Sequence, residues 1–146
     1  MIETLLLAEL KKFVQEVLKD FMLPVKGGGF RPVVAVSGYL PPKRSTSVDD
    51  FPFVIVRADS GSASRGNATV QVSLIIGCYS DESDGYAWCI EAMTRLRNAL
   101  LIQTVLTNRF VLQTPVTWAN HEDQPYPQWL LSMTTKWSFE APEAFE

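Results

Sequence analysis

Residues 128–140 read QWLLSMTTKWSFE, and their alternation decides the fold. Trp129, Leu131, Met133, Thr135, Trp137 and Phe139 fall on one face, while Leu130, Ser132, Thr134, Lys136, Ser138 and Glu140 fall on the other. A period of two over that length predicts a long antiparallel strand, packed on one side and wet on the other. A strand of this kind near the C-terminus implies a domain built around one sheet. Its packed face carries no catalytic residue type.

Working outward, residues 3–22 place Leu6, Leu10, Phe13, Val14, Val17 and Phe21 at helical spacing, with Glu9, Lys12, Glu16 and Lys19 opposite, which predicts an amphipathic helix. Leu23-Pro24 and the Gly27-Gly28-Gly29 triplet end it. A phosphate cradle needs a strand before such glycines and a helix after them. Here the order is reversed, and the triplet reads as a flexible connector. Pro32–Val36 predicts a short edge or first strand, because Pro32 cannot donate to a ladder. Residues 37–52 form a loop rich in Pro, Ser and Asp. Phe53–Asp59 and Ala68–Ser80 read as a β-hairpin whose polar 61–67 tip is mobile.

A second helix is expected over 84–103, with the stripe Cys89, Ala92, Met93, Leu96, Ala99 and Leu100. Ser83 or Asp84 would cap it, and Glu91 and Arg95 suit an i,i+4 pair. Arg109–Thr117 predicts a further strand with Pro115 near its end, and the polar loop 119–127 leads into the last one. The expected fold is α+β: a mostly antiparallel sheet of about four to five strands with two helices packed on one face. It forms a single domain, 1–146, with loose termini at 1–2 and 141–146.

Composition is consistent with this. A chain of 146 residues with 47% apolar and 20% charged residues suits one globular core. A net charge of −3 without a basic patch argues against nucleic-acid binding, since Lys11-Lys12 is a helical pair and Lys43-Arg44 sits in a Pro-flanked loop. The opening MIETLLLAELKK lacks a signal-peptide pattern, and no apolar run is long enough to span a bilayer. Cys78 and Cys89 read as buried free thiols, and the expected compartment is cytoplasm.

Chemistry is sparse. His121 is the only histidine, in the loop HEDQPYP beside Glu122 and Asp123. Neighbours on an extended chain point apart, so three in a row do not make a metal site. No Gly-x-Ser-x-Gly elbow supports a nucleophile, and Asp49-Asp50 and Asp81-Glu82 read as turn and cap residues. The expectation is no catalytic residue, no metal and no cofactor. Of the four tryptophans, Trp129 and Trp137 belong to the core. Trp88, Trp118 and Tyr126 fit either a subunit contact or peripheral core. The 61–67 tip is either an idle turn or a loop that orders on a partner.

In its order of elements the chain resembles the tail terminators and related neck proteins of long-tailed bacteriophages and prophages. The likeness spans an N-terminal helix, the lead-in Asp49-Asp50-Phe51-Pro52-Phe53-Val54-Ile55-Val56 and its hairpin. A helix headed by Asp84-Gly85 and bearing Ala92, Leu96 and Leu100 follows, and then a closing hairpin. The resemblance implies a structural virion protein, made in the bacterial cytoplasm. It would form a ring, typically hexameric, that caps the tail tube, stops its polymerisation and joins it to a head-completion protein. It implies no cofactor, no membrane and no specific nucleic-acid binding. By position, the interface candidates are Arg57, Asp59, Arg65, Asn67, Trp88, Trp118, His121, Tyr126 and Lys136. The outer face of the last strand, with Leu130, Thr134 and Lys136, is the expected seam between subunits. Competing readings are a head-closure or minor capsid neck protein, and a non-viral cytoplasmic binding module.

Overall fold

A computed structural model describes residues 2–39, 51–124 and 126–141. The Lys43-Arg44 pair, Asp49-Asp50 and the tail beyond Ala141 lie outside the described residues. Helix α1 (Ile2–Val17) opens the chain, followed by short strands β1 (Leu23–Pro24), β2 (Phe30–Arg31) and β3 (Val34–Ser37). The long hairpin β4 (Phe53–Ser64) and β5 (Asn67–Tyr79) comes next, then helix α2 (Gly85–Gln103). Strands β6 (Val105–Leu106), β7 (Phe110–Asn120) and β8 (Gln128–Phe139) complete it. The architecture is α+β, as the alternation and helical stripes predict.

The sheet is larger than expected and mixed. Six strands lie in the order β3-β4-β5-β8-β7-β6, and β1 and β2 form a separate two-stranded sheet. Among the described residues, β3 and β4 run parallel and every other pair is antiparallel. Both helices pack on one face, where Leu6, Leu10 and Val14 of α1 and Cys89, Met93, Leu96 and Leu100 of α2 meet Val54, Val72, Leu74, Ile76, Leu131, Met133 and Trp137. The alternation of β8 is explained by this core. Thr135, the one polar residue on its packed face, donates to the Val72 carbonyl at 2.9 Å and accepts from the Trp137 indole N–H at 2.9 Å, so neither polar atom is left unpaired.

The unbroken apolar run Phe53–Val56 has a different cause, burial on both faces. Val54 and Val56 face the helices, while Phe53 and Ile55 join Phe51 in a second cluster on the opposite face, against Ile75, Tyr79 and Leu130. The Phe53 ring lies over Gly77, where an added Cβ would come within 2.3 Å of it. Glycine is therefore required there by space.

Several local expectations need correction. The first helix stops at Val17, not residue 22, because a turn takes over while still delivering Leu18 and Phe21 to the core. The glycine triplet is the loop of the β1–β2 hairpin: all three residues have positive φ, and Val25 N–H bonds the Gly29 carbonyl at 3.1 Å. The 61–67 tip is mostly strand. Ladder pairing reaches Ser64↔Asn67, leaving only Arg65 and Gly66 in the turn, with Gly66 at φ 85°. Asp84 precedes α2 but makes no side-chain cap; its carboxylate instead accepts from Ser80 Oγ and from Trp88 Nε1. Strand β6 escapes notice in the sequence because its turn uses Thr107 and Asn108 at φ 53° rather than glycine. At the chain ends, Ile2 already belongs to α1 and Ala141 packs against the core. Among the described residues no helix is long and apolar enough to cross a membrane.

Candidate functional site: two open sheet edges and an aromatic end

The order of strands sets where backbone hydrogen-bonding groups remain available. Strand β3 covers β4 only from Phe53 to Val56, and β6 covers β7 only at Phe110 and Val111. Among the described residues no strand lies beside the rest of either. Among the described residues, then, one open edge runs along Ala58–Ser64 and the other along Thr114–Asn120. Both carry interruptions. A bulge at Asp59 shifts the β4 register, and the register of β7 shifts between Gln113 and Thr117 around Pro115. Bulges and proline are common protections of edge strands, yet Ser60–Ser64 has neither proline nor charge.

The sequence-predicted residues fall into separate groups. Arg57 is tied down: its Nε donates to the Gly38 carbonyl at 3.0 Å, and its guanidinium lies 3.8 Å from the Tyr39 ring centroid. Asp59 sits exposed at the bulge and accepts from Ser73 Oγ. Arg65 occupies the hairpin turn and Asn67 opens β5. Lys136 is exposed on the face away from the helices, with Gln71 and Gln113 as its cross-strand neighbours. On the same face of β8, Leu130 packs on the Phe53 cluster, so this end of the face is covered.

At the opposite end of the sheet, Trp88 is half-buried against Phe21 and Phe30, at centroid distances of 6.1 and 6.2 Å. Tyr126 is exposed and stands edge-on to Trp129 at 6.1 Å, its hydroxyl donating to the Asp81 carbonyl. Gly85 allows this arrangement, since a Cβ there would fall 2.1 Å from the Trp129 indole. His121 Nε2 and Ser132 Oγ share a hydrogen bond of 2.8 Å. Trp118 is different: it stands at the open edge of β7, 40% exposed, on the helix-facing side opposite Met133.

A cleft of about 260 Å³ lies between the glycine hairpin and the start of α2, bordered by Phe30, Trp88, Asp81, Glu82 and Asp84. Among the described residues no group of three or more His, Cys, Asp or Glu could hold a metal ion. Cys78 and Cys89 are buried free thiols. A hydrogen bond with Cys89, reinforced by burial, pushes the Cys78 pKa far up, which removes the thiolate on which cysteine reactivity depends. What the arrangement offers is backbone edge, aromatic surface and a small cleft. Neither protein-family models nor curated proteins give a match to the chain.

Proposed function

We propose that the chain is a structural phage protein of the tail-terminator kind, assembling into a ring that caps the tail tube and presents a surface to the head. The observation that supports this most is the distribution of unsatisfied surface. A well-packed core ends in a hairpin arm with an open edge, and a second edge with an exposed tryptophan lies on the far side of the same sheet. Surfaces of that type suit repeated contacts between copies, because a head-to-tail arrangement uses two different patches on each subunit. The Phe51-Pro52-Phe53 lead-in and its hairpin support the same reading by their layout. The ring would be a homo-oligomer, with six subunits as the expected number, and would hold no cofactor.

The second reading, a small-ligand binding module, draws on the cleft beside Trp88. Its volume falls below the roughly 300 Å³ at which ligand pockets usually begin. The two readings part in one experiment: electron microscopy and sedimentation of the purified protein, alone and with the tail-tube protein of its own phage. Rings seated at tube ends, with tubes of limited length, are the expected result. A monomer or dimer that leaves tube growth unchanged would contradict the proposal.

A further inference from the structure

The seam between neighbouring copies is where the two open edges meet. We infer that the Ala58–Ser64 edge of one copy takes up the Thr114–Asn120 edge of the next as an added antiparallel strand, Trp118 of the second covering Gly61 of the first. This rests on the ring reading above and names its contact.

Direction is the first support. Strands β4, β5, β8 and β7 alternate in direction across the sheet. A following copy in the same orientation therefore brings its β7 alongside β4 antiparallel. Position is the second. Among the described residues, the open part of β4 is its C-terminal half, past the end of β3, and the open part of β7 is also its C-terminal half, beyond the end of β6. Because the strands run oppositely, pairing these halves requires a shift along the strand direction. In that position β3 and the next copy's β6 bracket the new ladder and oppose sliding. A constant stagger between strands is what a closed, tilted barrel needs, so the shift is compatible with a ring.

Side chains supply the register. On the helix-facing side the β4 edge offers Ala58, Gly61 and Ala63, which pair with Val72, Val70 and Ala68 and leave a shallow groove next to Glu3. On the same side the β7 edge offers Trp118. Setting Gly61 opposite Trp118 places the indole over the absent side chain. Ser62 then meets Thr117 and Ser60 meets Ala119, all four on the outer side, as their ladder partners Thr69, Thr134, Gln71 and Ser132 require. No like charges face each other. Backbone pairing with side-chain pockets alternating along it is the usual form of strand addition.

Cross-linking tests the register directly. Ser62→Cys and Thr117→Cys proteins are mixed with the tube protein and oxidised with diamide; Cys78 and Cys89 are buried and stay out of the reaction. A disulfide-linked pair containing one of each variant should exceed either self-linked pair at least ten-fold, and the double variant should give a ladder ending at the ring size. In parallel, Ala63→Lys and Trp118→Asp should each raise the protein concentration needed for assembly at least ten-fold, with monomer Tm held within a few degrees. Rings that form without the mixed cross-link, and that tolerate both substitutions, would overturn the seam and leave the ring standing. Mixed cross-links without rings would uphold the edge pairing and overturn the ring. Neither cross-links nor oligomers would overturn both.

Discussion

The two halves of β4 obey different rules. From Phe53 to Val56 every residue is buried, with strands on both sides and packed clusters on both faces. From Ala58 to Ser64 every residue is exposed, and among the described residues β5 is the one strand alongside. The bulge at Asp59 divides them. Residues in the first half hold the fold together. Those in the second are ordered by the β5 ladder and contribute little packing, and they are the half on which the proposed contact between copies rests.

Substitutions should divide along the same line, and the largest effect belongs to the buried half. Phe53→Ala removes a ring packed on Phe51 at 4.7 Å and on Gly77; urea unfolding should show a loss of about 3–5 kcal/mol. A loss under about 1 kcal/mol would mean that the outer cluster is not a core. Approaching the same contact from below, Gly77→Ala pushes a methyl into the Phe53 ring and should cost about 1–3 kcal/mol. An unchanged midpoint would show that the ring has room to move.

Next comes a pH effect inside the helix-facing core. The folded chain holds the Cys78 proton because its pKa lies above the ordinary 9.0, whereas the unfolded chain releases it near that value. The stabilising contribution is therefore complete below about pH 9 and declines as pH rises above it, by up to about 1.4 kcal/mol per pH unit. Denaturation between pH 7 and 10.5 should show this steeper decline in the wild type and a shallower one in Cys78→Ala; equal slopes would contradict it. The smallest effect belongs to the open half. Ser62→Ala loses only an exposed hydroxyl contact with Thr69, and monomer stability should stay within about 0.5 kcal/mol. A larger loss would make the arm part of the fold.

Much of this was legible in the sequence where burial on one face writes a period. The alternation of β8 and the stripes of both helices reported the core correctly, down to Trp137 and Leu131. What escaped was information that alternation cannot carry. Strand order is one such property: nothing in QWLLSMTTKWSFE says that β8 is central, with β5 and β7 on its two edges and Leu130 packed on the Phe53 cluster. The polar run Ser60–Ser64 looked like a loop because a strand exposed on both faces has no hydrophobic pattern. Strand β6 was hidden by its Thr107-Asn108 turn, which takes positive φ without glycine. Of the candidate interface residues, Trp118 is exposed on the edge of β7, while Arg57 and Trp88 make contacts within the chain. The sequence signal for the exposure of Trp118 is its place next to a polar loop at a strand end.

Amide hydrogen exchange, followed residue by residue in the free protein and in the assembled ring, tests the central claim most directly. Outward-pointing amides of Ala58–Ser64 and of Thr117–Asn120 should exchange freely in the monomer and become protected together on assembly, while those of Phe53–Val56 stay protected in both states. Assembly that leaves the two edges as exchangeable as before would contradict the account.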